Sequence, residues 1–192
     1  MSVDYYNKNA NKFFKDTYRL DMSEIYIKFI NYIPKKGKIL DAGCGSGRDT
    51  KAFSDLGFEV VAFDASIEMV NLARIYTNQK VLNITFDDVK WENEFDGIWA
   101  CASLLHITED EFKSCGTKIY NSLKEDRPFY LSFKYGYRDY LKDDRFFQCH
   151  DEDSLNNLMQ SLGSFSEKFL WITTDIRAYR EEEKWLNAIF IK

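Results

Sequence analysis

The residues best suited to chemistry lie in a glycine-rich segment, "KILDAGCGSGR", at positions 38–48. A short apolar run precedes Asp41, and Gly43, Gly45 and Gly47 then alternate with other residues. Glycine adopts positive φ without strain and lets a ligand approach the backbone closely. Such a loop between a strand and a helix is typical of sites for nucleotide-like ligands, and a turn that needs glycine for geometry alone is the alternative.

The spacing of the glycines separates two classes of ligand. Dinucleotide sites carry Gly-x-Gly-x-x-Gly, and Gly43 and Gly45 match its first two positions, but Arg48 stands at the third. A pyrophosphate on the following helix start is therefore disfavoured, and an NAD-dependent oxidoreductase is the weaker alternative. The alternating form suits a ligand without phosphate, with Asp41 close to an ammonium group and the glycine amides facing a carboxylate.

Further candidate residues follow the ends of the next predicted strands. Asp64 ends the second strand, where a carboxylate accepts hydrogen bonds from both ribose hydroxyls of a nucleoside. Its alternative role is helix capping, although Ser66 is better placed for that. Asp87 follows the third strand and offers a carboxylate to an adenine edge. His106 follows the fourth strand and is either a packed residue or a catalyst.

Alternating predicted strands and helices between residues 38 and 163 position these side chains. The strands are short apolar runs at 38–40, 58–63, 81–85, 95–100 and 129–133. This alternation indicates right-handed βαβ units and a doubly wound α/β fold, with a mostly parallel sheet covered on both faces. The last two apolar runs, "KFLWITT" and "WLNAIFI", leave no room for a helix between them, so the last strand is expected to be antiparallel.

The chain is expected to form a single domain over residues 1–192, because it has no linker, repeat or low-complexity segment. Two helices in residues 1–36 are expected to form an N-terminal helical lid. Residues 134–150 are expected to form an insertion on the substrate side. The tentative substrate contacts in the lid and the insertion are Tyr6, Tyr135, Arg145 and Phe146.

Arg145 has two possible partners in the sequence. Its guanidinium would pair with a substrate carboxylate inside an aromatic pocket. In the alternative, it pairs with Asp143 or Asp144, and the neighbouring aromatic residues only cover the sheet edge.

The composition narrows the class of partner. The net charge is −5 and no stretch is dense in Lys or Arg, so a small-molecule substrate is expected and nucleic acid is not. No apolar run is long enough to cross a bilayer, and the first residues lack the apolar core of a signal peptide, so no membrane partner is expected. The 4 cysteines and 2 histidines lack metal-ligand spacing, so no metal site is expected. Reduced thiols favour a cytoplasmic location, and the chain is expected to be a monomer or a homodimer.

Four segments together resemble class I S-adenosylmethionine-dependent methyltransferases: "ILDAGCGSGR", "VVAFDAS", "FDDV" and "FDGIWACASLLHI". The ending "GCGSGRD" is similar to the tellurite-resistance type of small-molecule methyltransferase. The resemblance covers residues 38–135. It implies the Rossmann-like methyltransferase fold, with a mostly parallel seven-stranded sheet and an antiparallel last strand.

The resemblance also implies a cofactor, S-adenosyl-L-methionine, which becomes S-adenosyl-L-homocysteine when the methyl group moves to a small-molecule acceptor by in-line displacement. The implied cofactor contacts are Asp41, Gly43, Cys44, Gly45, Gly47, Asp64, Ala65, Met69, Phe86, Asp87, Ala100 and Ser103. His106 is the candidate catalytic residue. A module that binds or senses S-adenosylmethionine without catalysis is the main alternative.

Overall fold

The computed structural model describes residues 2–177 and 180–192. Its six α-helices are α1 (Ser2–Thr17), α2 (Ser23–Ile30), α3 (Arg48–Asp55), α4 (Ile67–Thr77), α5 (Glu109–Ser122) and α6 (Glu152–Gln160). Its strands are β1 (Lys38–Ala42), β2 (Glu59–Asp64), β3 (Val81–Asn83), β4 (Gly97–Ala100), β5 (Pro128–Tyr135), β6 (Tyr140–Lys142), β7 (Arg145–Phe147), β8 (Cys149–His150), β9 (Glu167–Thr174) and β10 (Lys184–Ile191). Within these described ranges, no helix is both long and apolar enough to cross a membrane.

The central sheet has the order β3-β2-β1-β4-β5-β10-β9, with β1 to β5 parallel and β10 antiparallel to both of its neighbours. The predicted doubly wound α/β fold with a reversed last strand is confirmed. The sheet has one strand more than the seven expected, because β8 in the insertion also pairs with β5. The remaining strands of the insertion, β6 and β7, form a separate two-stranded hairpin.

Apolar side chains cover the sheet on both faces, as a parallel sheet requires. On one face, α5 and α6 contribute Phe112, Ile119 and Leu155 to the larger core cluster. On the other face, Phe29 of α2 and Phe53 of α3 pack against the sheet. The carboxyl ends of the parallel strands lie at one edge between these layers, where ligands bind in such sheets.

The two helices of the expected lid have different surroundings. Helix α1 packs on α4, where Asn7 Oδ1 accepts a hydrogen bond from the Ser66 hydroxyl at 2.7 Å. Helix α2 instead buries Tyr26 and Phe29 under the sheet, so it is part of the core layer. Helix α1 is therefore the element that covers the carboxyl ends of the strands.

Candidate active site

A cavity of about 640 Å³ lies at the carboxyl ends of the strands, between the glycine loop, α1 and the insertion. This volume lies within the usual range for ligand pockets, about 300–1,000 Å³. Eleven of the predicted residues line it: Tyr6, Gly43, Cys44, Gly45, Asp64, Ala65, Met69, Phe86, Ser103, His106 and Arg145. The topology thus brings residues from distant parts of the sequence to one site.

Three predicted residues in or next to the glycine loop and β4 do not line the cavity: Asp41, Gly47 and Ala100. Asp41 is only 2% exposed, and Thr50 Oγ1 donates a hydrogen bond to it at 2.5 Å, so its carboxyl group does not face the cavity directly. Burial and the nearby charge of Asp49 raise the pKa of Asp41 to about 8. Ala100 is fully buried. Gly47 has a φ of 77° and faces α4, where an added Cβ would lie 2.8 Å from Thr77 Cγ2. Glycine at position 47 therefore serves backbone geometry and helix packing.

Three further predicted residues lie outside the cavity wall for a different reason. Asp87 is exposed and forms an ion pair with Lys118 at 3.3 Å. Tyr135 lies in β5 next to Lys134, and Phe146 lies in β7 next to Arg145. In both strands, it is this neighbour whose side chain faces the cavity. Since adjacent strand residues point to opposite faces, neither ring reaches the cavity.

The glycine loop owes its shape to left-handed backbone angles and to contacts with β2. Gly43 has a φ of 81°, and an added Cβ would lie 2.5 Å from the Cβ of Ser103. The amides of Gly43 and Cys44 both donate to the carbonyl oxygen of Phe63, at 3.0 and 2.9 Å. Only glycine at position 43 combines this positive φ with so close an approach to Ser103.

Asp64 links the glycine loop to the start of α4. One carboxylate oxygen accepts a hydrogen bond from the Gly45 amide at 2.9 Å, and the other accepts one from the Ser66 amide at 2.9 Å. Burial raises the pKa of Asp64, although these amide donors oppose the shift. Ser66 itself caps α4 by accepting from the Met69 amide at 3.3 Å, as the sequence predicted. The carboxylate of Asp64 is therefore oriented at the cavity wall and is not the cap of α4.

A buried charge network occupies the start of α3, and the sequence analysis missed it. Arg48 donates to both carboxylate oxygens of Asp49, at 2.6 and 2.8 Å. Trp99 Nε1 donates to Asp49 at 2.8 Å, and the Tyr26 hydroxyl also donates to it. Burial opposes the ionisation of Asp49, yet the Arg48 guanidinium and these donors hold its pKa below the usual value. The first turn of α3 thus already holds an ion pair, and the Asp49 carboxylate disfavours the binding of a pyrophosphate there.

Tyr6 and His106 meet in the wall of the cavity. Because the carbonyl oxygen of Phe146 can only accept, Nδ1 of His106 donates to it at 2.7 Å. Nε2 of His106 then accepts a hydrogen bond from the Tyr6 hydroxyl at 2.7 Å. Burial lowers the pKa of His106 to about 4, so the imidazole is neutral at pH 7. This arrangement orients the Tyr6 hydroxyl, but it makes His106 a weak base.

A second charged cluster, also missed from the sequence, lies at the far end of the cavity. Lys134 Nζ is 2.5 Å from a carboxylate oxygen of Glu183, 3.5 Å from one of Asp175 and 3.8 Å from the centre of the Trp185 ring. Arg177 donates to both carboxylate oxygens of Asp175. Burial opposes the ionisation of Asp175, but Arg177 holds its pKa well below the usual value. No local sequence pattern indicates this cluster, because Asp175, Arg177 and Glu183 lie outside the strands and are distant in sequence from Lys134.

Comparison with known proteins adds a family match for the part of the chain that carries the glycine loop, Asp64 and His106. Residues 39–126 match the family model described as a methyltransferase domain. YqeM of Bacillus subtilis, itself only provisionally named a methyltransferase, is 32% identical over 101 residues, which are 49% of this chain and 41% of that protein. The uncharacterized methyltransferase YcgJ of the same species is 26% identical over 154 residues, 77% of this chain and 60% of that protein. The chain spans about half the length of the curated relatives it matches.

Solved structures share the whole fold at low identity. The 1,6-didemethyltoxoflavin-N1-methyltransferase of Burkholderia thailandensis, with 1,6-didemethyltoxoflavin and S-adenosylhomocysteine bound, has a TM-score of 0.75 at 19% identity and covers 100% of this chain and 85% of that one. Phosphoethanolamine N-methyltransferase 2 of Haemonchus contortus, in complex with S-adenosyl-L-methionine, has a TM-score of 0.73 at 13% identity and covers 98% of this chain and 58% of that one. The chain therefore has the Rossmann-like fold of these methyltransferases, and its residues 39–126 match a methyltransferase domain.

Proposed function

We propose that this chain is an S-adenosylmethionine-dependent methyltransferase that acts on a small-molecule acceptor. The observation that carries the proposal is the pairing of Asp64 with the Gly45 amide, at 2.9 Å, in the wall of a cavity that extends to Tyr6 and His106. A methyl donor and an acceptor can thus meet in one enclosed space. The match of residues 39–126 and the shared fold support the same activity.

The half of the cavity that contains the glycine loop and Asp64, here called the first half, has residues that fit the parts of S-adenosylmethionine. Glycine leaves the loop without a side chain at position 43, so the methionine portion would lie against the backbone there. Asp64 would accept hydrogen bonds from the ribose hydroxyls. Met69 and Phe86 would contact the adenine ring, and Ser103 would line the path to the sulfur.

When bound, S-adenosylmethionine would supply a methyl group on a cationic sulfur, for in-line displacement by an acceptor lone pair with S-adenosylhomocysteine as the other product. The protein's part is to align the acceptor and to exclude water. Tyr6 would orient the acceptor through its hydroxyl. This hydroxyl is held in place because it donates a hydrogen bond to Nε2 of His106. Because His106 has a pKa of about 4, it is a positioning residue rather than a strong base. The site thus suits acceptors that are nucleophilic without prior deprotonation.

The proposal includes a small acceptor, and it has one competing hypothesis. The similarity of "GCGSGRD" to the tellurite-resistance type rests on the sequence alone and favours a small acceptor. The competing hypothesis, a module that binds the cofactor without catalysis, keeps the same first half of the cavity and differs only in the absence of transfer.

Methyl transfer itself tests the proposal. The chain is incubated with methyl-labelled S-adenosylmethionine and a panel of amines, phenols, thiols and oxyanions, and the labelled product and S-adenosylhomocysteine are measured by mass spectrometry. We expect equimolar formation of both with at least one acceptor, above the background of the reaction without acceptor. Cofactor binding without transfer to any member of the panel would contradict the catalytic proposal and favour the sensing module.

A further inference from the structure

The charged residues that line the cavity are segregated by sign. Near the glycine loop and the start of α2, the wall carries four carboxylates and a single cation, Arg48; the carboxylates belong to Asp21, Glu24, Asp49 and Asp64. The opposite half, built by β5, the β6–β7 hairpin and residues 175–177 and 180–183, carries five cations against the carboxylates of Asp175 and Glu183; the cations belong to Lys134, Lys142, Arg145, Arg177 and Arg180. This excess of cations occurs in a chain whose net charge is −5.

We propose that the methyl acceptor carries an oxyanion, a carboxylate or a phosphate group, and that Arg145 binds this group. The inference rests on the proposed function, since it assigns the second half of the same cavity to the acceptor. The segregation of charge agrees with it: the carboxylate-rich half suits a cationic methyl donor, and the cation-rich half suits an anionic acceptor.

Arg145 differs from the other buried cations of this half in how it is paired. It is only 8% exposed, and its Nε has no hydrogen-bond partner in the part of the chain that the structure describes. Its ion-pair partner is Asp143, at 3.3 Å, whose side chain is 59% exposed. Lys134 and Arg177, in contrast, are neutralised by buried or half-buried carboxylates at close range. Since a buried guanidinium is costly without strong partners, Arg145 has unused capacity for an anion.

Three aromatic rings surround the guanidinium group of Arg145. Its Cζ lies 4.0 Å from the ring centre of Tyr5, 5.0 Å from that of Phe147 and 5.8 Å from that of Tyr6. Guanidinium groups stack on rings through their faces, so the donors in the plane remain to bind an oxyanion in the two-bonded geometry. An oxyanion bound there would hold the rest of the acceptor beside the Tyr6 hydroxyl.

Two partners for Arg145 were expected from the sequence, a substrate carboxylate or a neighbouring aspartate, and the structure is compatible with both at once. The pairing with Asp143 exists, but it uses one Nη at 3.3 Å and leaves Nε free of any described partner. Arg145 also lines the cavity. An acceptor oxyanion would therefore be added to the existing contact or replace the exposed Asp143.

Calorimetric titration of the chain saturated with S-adenosylhomocysteine tests this inference with simple probes. Benzoate, the uncharged benzamide and inorganic phosphate are titrated separately. We expect benzoate or phosphate to bind at least tenfold more tightly than benzamide, and which of the two binds distinguishes a carboxylate site from a phosphate site. Arg145→Gln should weaken that binding at least about tenfold, and Arg145→Lys should weaken it less because it keeps the charge.

The matched control is Arg138→Gln, which removes an exposed arginine of the same insertion that does not line the cavity. Affinity for S-adenosylhomocysteine should be the same in all variants, which also reports that they fold. Absence of S-adenosylhomocysteine binding to the wild-type chain would contradict the proposed function. Normal S-adenosylhomocysteine binding with no preference for anions, or with anion binding that survives Arg145→Gln, would overturn the inference about Arg145 alone.

Discussion

Replacing Asp49 with alanine is expected to lower the free energy of unfolding by about 3–5 kcal/mol, the usual cost of removing one partner of a buried ion pair. Asp49 is 5% exposed and accepts hydrogen bonds from Arg48, Tyr26 and Trp99. The substitution leaves a buried guanidinium without its carboxylate and leaves the Tyr26 hydroxyl and the Trp99 indole without their acceptor. Urea unfolding followed by tryptophan fluorescence measures the loss.

The control lies on the same helix. Asp55 of α3 forms an exposed ion pair with Lys51 at 2.9 Å, one turn away, so Asp55→Ala should cost no more than about 0.5 kcal/mol. Asp49→Asn keeps an acceptor oxygen but loses the charge, and its cost should fall between the two. A similar small loss for Asp49→Ala and Asp55→Ala would show that the network at the start of α3 does not stabilise the fold.

The second large effect is expected at Asp64, the proposed contact of the ribose. Asp64→Ala should weaken the binding of S-adenosylmethionine at least about tenfold, because it removes a charged acceptor whose hydrogen bonds are worth about 1.5–3 kcal/mol each. The carboxylate is oriented by the amides of Gly45 and Ser66, at 2.9 Å each. Its loss therefore removes the ligand contact and also loosens the glycine loop. Calorimetry with S-adenosylmethionine measures the affinity.

Two companion variants separate these contributions. Glu59→Ala removes an exposed carboxylate from the other end of the same strand, and its affinity for S-adenosylmethionine should equal that of the wild type. Asp64→Asn keeps an oxygen that can accept from the Gly45 amide, so the loop should stay in place while the affinity still falls. An unchanged affinity in Asp64→Ala would remove this residue from the binding site.

Features that depend on local spacing could be predicted from the sequence. The glycine loop and the cap at Ser66 both involve residues within a few positions of each other, and the structure contains each of them. The order of strands and helices followed from hydrophobic periodicity, which requires no knowledge of the tertiary structure. The carboxyl-end position of Asp64 followed from the same alternation.

Features that depend on long-range packing could not be predicted in this way. The network around Asp49 joins α2, α3 and β4, and nothing in the local sequence indicates that Tyr26 and Trp99 converge on it. Similarly, Lys134 and Glu183 come together only because β10 is inserted antiparallel beside β5. Sequence spacing cannot reveal a cluster whose members are contributed by such distant elements.

The face that each strand presents to the cavity was a further source of error. In β7 the sequence analysis chose both Arg145 and Phe146, yet consecutive strand residues point to opposite faces, and only Arg145 and Phe147 reach the cavity. Phe146 contributes its carbonyl oxygen to His106 instead. In β5, Tyr135 was chosen where Lys134 faces the cavity. Alternation alone gives two equivalent choices, and only the pairing of the strands decides between them.

Calorimetric titration of the wild-type chain with S-adenosylmethionine, S-adenosylhomocysteine and NAD tests the central claim most directly. Asp64 beside the glycine loop, together with the ion pair of Arg48 and Asp49 at the start of α3, predicts binding of the first two ligands at one site per chain and no measurable binding of NAD. Tight binding of NAD without binding of S-adenosylmethionine would contradict the account.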